Sequence, residues 1–388
     1  MWQVSCTAKA PMTTTKPAVP PLRELLDRDL GFICSEVGPD LEKLTGRRIL
    51  VTGGAGFLGY YLVQALDHWN SGRAGPNQVR ITVLDNFARG EPRWIADLSA
   101  AGRVALRRHD ISQPLPPDLG EHEYIVHAAG IASPTYYRQR PIETMDANVG
   151  GLRSLLELAH RQLEGSAPVR GLLFFSSSEI YGDPPAEWIP TPEHYRGYVS
   201  CTGPRACYDE SKRYGETLCV NFARVHDLPI TMARPFNNFG PGLKISDRRV
   251  IPDFAADILA GRDIVLLSDG KPTRTFCYVA DAVSGYLKIL LRGRPGEAYN
   301  IGTETPEISM RDLAAAMVDI AREWFGYRGR VVQQPSSEAA YLEDNPARRC
   351  PTIAKARAEL GYDPKVSLDE GLRRSLAWYA HHPSGNDG

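Results

Sequence analysis

The stretch GPRACYDESKR, residues 203–213, sets Tyr208 and Lys212 four positions apart in a polar run that opens a helix expected over 208–226. Four residues is about one helical turn, so phenol and ammonium share a face. Tyrosine alone is a poor base, because its ordinary pKa of about 10 lies roughly three units above neutral pH, a deficit of roughly 4 kcal/mol. One positive charge about 4 Å away is worth on the order of 4 kcal/mol at an effective dielectric near 20. Lys212, joined by a second cation, therefore supplies most of what a phenol needs to take a proton from an alcohol. Taken by itself, Y-x-x-x-K also fits an ordinary exposed helix face. Its company makes it a candidate reaction centre: a glycine-rich loop upstream and a polar strand end, SSSEIYG, at 176–182.

The loop is ILVTGGAGFLG, residues 49–59, with Gly53, Gly56 and Gly59 between an apolar strand and a helix expected over 57–70. Glycines there permit a tight turn and close approach to a pyrophosphate, whose charge the helix N-terminus favours. Asp85 ends the next apolar run, VLDN, where a carboxylate accepts both hydroxyls of an adenosine ribose and repels a 2′-phosphate. NAD is therefore expected in preference to NADP. The distance from the glycines to Asp85 exceeds the usual spacing by a loop insertion, SGRAGPNQ. With the ends of the following strands, the expected coenzyme set is Gly53, Gly56, Phe57, Leu58, Gly59, Asp85, Asn86, Asp110, Ile111, Ala128 and Ala129, together with Tyr208 and Lys212.

The elements that must position these groups are legible as texture. RRILVTGG, VRITVLDN, YIVHAAG, GLLFFSSSEIYG and LPITMARP are short, continuous apolar runs, as expected of strands buried on both faces. Helix-compatible stretches lie between them, so the fold class is α/β: a doubly wound parallel sheet of Rossmann type with a smaller α/β lobe on the C-terminal side. Further helices are expected over 146–163 and 248–260. Residues 1–45 read as an extension, a Pro/Thr-rich disordered tail followed by a helix from Pro21 with Leu22, Leu25, Leu26 and Leu30 at helical spacing. Residues 46–236 are the expected coenzyme domain, and 237–388 mainly the substrate lobe, with some segments returning to the first domain.

Over 388 residues the net charge is −1 with 23% charged residues, which leaves no basic field for nucleic acid or an anionic membrane. Seven scattered cysteines form no C-x-x-C pair, so neither a zinc site nor a disulfide framework is expected. No run approaches the roughly 18 apolar residues of a spanning helix. A cytoplasmic protein with a small-molecule substrate and no metal is the expectation.

From about Arg47 to Tyr379 the chain resembles the extended short-chain dehydrogenases/reductases that act on nucleotide sugars, most of all the UDP-glucuronate decarboxylase (UDP-xylose synthase) group. TGGAGFLG, VLDN, SSSEIYGDP, GPRACYDESKR, FNNFGP, RRVIPDF and TRTFCYVAD occur in that group's order. The resemblance implies UDP-glucuronate as substrate and a homodimer formed through the helices at 146–163 and 208–226. It implies a catalytic set of Tyr208, Lys212 and Ser177, with Ser178 and Glu179 where the decarboxylases read S-E, and Arg274 to hold the sugar carboxylate or return a proton. It implies sugar contacts from Ser133, Pro134, Tyr137 and Glu179, and diphosphate contacts from Asn237 and Arg249. Ser178 stands where related 4,6-dehydratases carry an aspartate. Glu143 and Asp146 stand where lysines are common, and Gly242 where arginine is common. Release of a 4-keto pentose, 4-epimerisation, 4,6-dehydration and a non-catalytic NAD-binding role are the alternatives.

Overall fold

A computed structural model of the chain describes residues 19–336 and 343–382. The tail expected to be disordered lies outside these residues up to position 18.

The strands of the first half are β1 (Arg48–Thr52), β2 (Arg80–Asp85), β3 (Val104–Arg108), β4 (Tyr124–His127), β5 (Gly171–Phe175) and β6 (Ile230–Pro235). The second half adds β7 (Asn238–Phe239), β8 (Ile264–Leu266), β9 (Thr273–Arg274), β10 (Cys277–Tyr278), β11 (Ala298–Ile301), β12 (Ile308–Ser309), β13 (Val331–Gln333) and β14 (Arg348–Arg349). The helices are α1 (Leu22–Val37), α2 (Phe57–Asn70), α3 (Arg93–Ala100), α4 (Pro134–Gln139), α5 (Pro141–Met145), α6 (Leu152–Arg161), α7 (Ala206–His226), α8 (Val250–Leu259), α9 (Val279–Arg292), α10 (Met310–Phe325), α11 (Ala354–Leu360) and α12 (Leu368–His381).

Seven strands form one sheet in the order β11-β6-β5-β4-β1-β2-β3, and every neighbouring pair is parallel. Alternate residues serve opposite faces. Val51, Val83, Val126 and Leu173 enter one core with α1, α2 and α9, while Leu50, Leu84, Ile125 and Leu172 enter another with α6 and α7. Burial on both sides explains why these strands read as unbroken apolar runs. The order reverses between β1 and β4, with Thr52 opposite His127, so a crevice opens beyond the carboxyl ends of those strands.

The extension is built into the fold through one buried acid. Asp29 of α1 is wholly buried and accepts hydrogen bonds from Tyr61 of α2 (2.7 Å), Tyr278 of β10 and Arg374 of α12 (2.6 Å).

Two expectations on segmentation shift. The helix expected over 146–163 is preceded by the short α4 and α5, each opening on a proline, and it enters through a π turn at Asp146–Gly151. The smaller lobe holds β8 with β13 and β9 between β12 and β14. Segments after 236 return to the main sheet: β11 completes it beside β6, and α9 packs across it.

Candidate active site

A cavity of about 1430 Å³ occupies the crevice and runs from the glycine loop to the smaller lobe. This exceeds the usual few hundred to about 1,000 Å³ of a single small-ligand pocket, so it has room for a dinucleotide and a second ligand.

At one end, Gly53 takes φ +72°, and a β-carbon on it would lie 2.6 Å from the backbone N and Cα of Ala129. A β-carbon on Gly59 would meet the Gly54 carbonyl oxygen at 2.4 Å, so the start of α2 can pack on the turn only without a side chain. Asp85 lies at the same wall; its two oxygens accept from the backbone N–H of Ala55 (3.0 Å) and Phe87 (2.8 Å). Burial raises its pKa and these amides oppose that rise. The carboxylate is thus aimed by backbone and keeps lone pairs for ribose hydroxyls. Asn86 donates to Asp110 at 3.1 Å. Partial burial opposes charging of Asp110, yet the Ser112 amide and hydroxyl with Asn86 hold it below the ordinary range. Phe57, Leu58, Ile111, Ala128 and Ala129 also line the cavity. A glycine cradle, a helix start and an oriented acid fit a dinucleotide such as NAD, the site for which these residues form.

At the other end, Tyr208 and Lys212 project from the first turns of α7, and both are buried. The Lys212 ammonium donates to the Phe175 carbonyl at 2.7 Å and lies 5.7 Å from the Tyr208 ring centroid. Burial pulls Lys212 down to about 7. Burial also pushes Tyr208 up to about 12, eased by a hydrogen bond with Ser177. Within the polypeptide, burial thus outweighs what eases the phenol, and the expectation that Lys212 and the positive nicotinamide ring together acidify it concerns the site with NAD bound. Ser177, two residues past the end of β5, also accepts from the Glu179 amide at 3.1 Å, which starts the short helical turn Ser178–Tyr181. Ser178 lines the cavity beside it.

Several expected sugar contacts are placed differently. Glu179 is not free to order sugar hydroxyls: one oxygen accepts from Arg205 and the other from Arg349. Burial opposes its charge, but these two guanidiniums hold it well below the carboxylate range. Arg274 lines the cavity, yet it donates to the carbonyls of Thr273 (2.8 Å), Pro346 (2.6 Å) and Ala347 (3.3 Å) and to the Asn345 side chain. Burial first, then repulsion from Arg349, draws its pKa to about 9. Tyr137 does not reach the cavity wall. It stacks on the Tyr208 ring, centroids 5.0 Å apart and planes within 9°, and braces it. Its neighbour Tyr136, about 100° round α4, faces the cavity instead. Ser133 gives its proton to the Asp247 carbonyl (2.7 Å), and Pro134 opens α4 at the wall. Asn237 donates to the Thr275 carbonyl (3.0 Å) and Arg249 pairs with Asp247 (3.0 Å); both line the cavity.

The site also recruits residues that sequence reading passed over. Arg205 sits inside the motif that carries Tyr208, and its charge was the available signal. Arg349 arrives from β14, far along the chain, with no local signal. Asn148 lies on the π turn, donates to Ser211 at 2.9 Å, and has a buried side-chain oxygen without a partner. A π turn inside a helix often marks a functional site.

A doubly wound sheet with a glycine loop at its switch point, and a Tyr, Lys and Ser set in the same crevice, defines a chain of the short-chain dehydrogenase/reductase type. The profile of the NAD dependent epimerase/dehydratase family matches residues 49–302, and the chain belongs to that family. UDP-glucuronic acid decarboxylase 3 of Arabidopsis thaliana is 38% identical over 328 residues, covering 84% of this chain and 86% of that protein. UDP-glucuronic acid decarboxylase 1 of Xenopus tropicalis is 35% identical over 333 residues, 86% of this chain and 72% of that protein. Among solved structures, the UDP-glucose 4-epimerase of Thermotoga maritima with UDP-glucose superposes with a TM-score of 0.72 at 26% identity, covering 87% of this chain and 100% of that one. A dTDP-glucose 4,6-dehydratase from Streptomyces venezuelae with NAD bound gives 0.72 at 26% identity, over 86% and 97%.

Proposed function

We propose that the protein is an NAD-dependent decarboxylase that converts UDP-glucuronate to UDP-xylose through a 4-keto intermediate. The observation that carries this choice of sugar is the charge at the far end of the cavity: three buried guanidiniums, Arg205, Arg274 and Arg349, stand against two acids, Glu179 and Asp209, and Arg274 is held by neutral oxygens alone. An excess of buried positive charge suits an anionic sugar and is unfavourable with a neutral one. Of the two acids that departed from the family pattern, Glu143 is offset by Arg140, with which it pairs at 3.4 Å.

NAD, held by the glycine loop and Asp85, supplies the hydride acceptor and later the donor. Tyr208 takes the proton of the carbon-4 hydroxyl, with Ser177 steadying the shared oxygen and Lys212 adding positive charge behind the ring. The oxidised sugar is a β-keto acid. Carbon dioxide leaves because the electrons of the broken bond delocalise into the new carbonyl, whose enolate oxygen Tyr208 and Ser177 are placed to stabilise. A proton from water enters at carbon 5, and Tyr208 returns its own proton to the carbon-4 oxygen at reduction. Glu179, held ionised, is not the acid for this step.

Incubation with UDP-glucuronate and NAD, followed by mass spectrometry, tests the reading. A product lighter by carbon dioxide supports it, and one lighter by two further hydrogens identifies release of the 4-keto pentose. Unchanged mass with a new sugar isomer, or loss of water, replaces it with epimerisation or dehydration.

A homodimer and a cytoplasmic setting belong to the same proposal. Ile142 and Met145 on α5 and Tyr214 and Val225 on α7 are large apolar side chains left exposed, up to 70% at Val225. Such a patch favours a second copy of this chain.

A further inference from the structure

The Glu179 amide donates at 3.1 Å to Ser177, which in turn hydrogen-bonds Tyr208, and the negative charge of the Glu179 carboxylate opposes formation of a phenolate there. Both of its oxygens are occupied, but the two arginines that occupy them are not held alike. Arg349 reaches in from the two-residue strand β14; on each arginine one nitrogen, Nη2 of Arg349 and Nε of Arg205, is buried without a hydrogen-bond partner. Arg205 directly precedes α7, three positions before Tyr208, and its Nε lies 3.6 Å from Asp209, one turn on along the same helix. It is 6% exposed, lies 5.8 Å from the Tyr137 ring, and through that ring backs the stack on Tyr208. Arg205 is therefore fixed to the helix that carries the base, whereas Arg349 is carried by a two-residue strand remote from it in the chain.

We propose that Arg205 is a positioning residue: it anchors the Glu179 carboxylate away from the Tyr208 hydroxyl and cancels that carboxylate's field at the phenol oxygen. The charged and titratable groups facing Tyr208 are Lys212 and Asp209 from its own helix, Glu179 from the turn after β5, Arg249 from the start of α8, Tyr137 from α4 and Tyr286 from α9. Of these, Glu179 is the acid that bears on Tyr208 most strongly. Its neutralisation thus decides how readily the phenol ionises, whatever sugar occupies the far end. The inference rests on Tyr208 as the base but not on the identity of the sugar.

The test uses the NAD complex without substrate. Ultraviolet absorbance follows the phenolate step that disappears in Tyr208→Phe. Arg205→Gln is expected to raise the midpoint of that step by about one pH unit, about tenfold less phenolate at a given pH, while Arg205→Lys retains most of the wild-type midpoint. In Arg205→Gln with Glu179→Gln the midpoint returns to the wild-type value or below, because the charge to be cancelled is gone. An unchanged midpoint in Arg205→Gln, or a shift that survives in the double variant, overturns the proposal. If Arg205→Gln fails to bind NAD and so to fold, Arg205→Met is read in the same way: a raised midpoint supports the proposal and an unchanged one overturns it. Because no sugar is added, failure to decarboxylate UDP-glucuronate leaves this outcome separately readable.

Discussion

Gly53→Ala is the sharpest test of the coenzyme end. Two effects add at this position. At φ +72° an alanine sits in the left-handed region, which costs roughly 1–2 kcal/mol. The new methyl also meets the Ala129 backbone at 2.6 Å and the Ala128 carbonyl carbon at 2.8 Å, and backbone cannot rotate aside. The loop 53–56 and the end of β4 must move apart, and both are walls of the dinucleotide site. We expect NAD affinity, measured by calorimetric titration, to fall about 100-fold, about 2.7 kcal/mol. Gly54→Ala is the control: its β-carbon would meet Val83 Cγ1 at 2.6 Å, a side-chain contact. Val83→Ala should therefore rescue Gly54→Ala, whereas Ala129→Gly should not rescue Gly53→Ala. Wild-type NAD affinity in Gly53→Ala, or its rescue by Ala129→Gly, would refute the reasoning.

Three further outcomes follow from the geometry. Asp29→Ala removes an acceptor from Arg374 and two tyrosines and should cost about 3 kcal/mol, near the low end for a broken buried pair because Glu370 remains beside Arg374; urea unfolding checks it, and an unmoved midpoint refutes it. Burial, reinforced by Glu179, raises the Asp209 pKa from an ordinary 3.8 to about 7, so the folded chain keeps a proton there that the unfolded chain releases. That contribution is full below pH 3.8 and is lost as pH rises to about 7, so in thermal unfolding Asp209→Asn should gain on the wild type across that window, and a constant difference would contradict the assignment. Val225→Glu on the exposed face of α7 should convert a dimer to monomers in sedimentation with NAD binding intact; an unaltered sedimentation coefficient would place any interface elsewhere.

What the sequence discloses is what local pattern encodes. The strands of the main sheet show as apolar runs because burial on both faces removes the need for polar alternation, and the glycine loop shows because no other residue tolerates the approach at Gly53 and Gly59. Tyr208, Lys212 and Ser177 do meet, as their motifs suggest. The misplacements all depend on partners remote in the chain. Glu179 looks available until Arg349 arrives 170 residues later. Arg274 looks free until the carbonyls of 345–347 surround it. Tyr137 and Tyr136 are adjacent in sequence, and only the rotation of α4 decides which meets the cavity. The burial that raises Tyr208 and lowers Lys212 was not legible either, because desolvation depends on the packed fold and not on the spacing of the two residues.

The seam between α1 and α12 has a topological consequence. His381 donates to the Pro20 carbonyl at 3.0 Å, Arg28 pairs with Glu370 at 3.0 Å, and Arg374 reaches Asp29, so positions 20 and 381 are neighbours in space. The polypeptide therefore closes on itself like a ring. A rearranged gene that joins those two positions through a short linker, and opens the backbone in the surface loop at 71–78, would encode the same fold read from a different starting point.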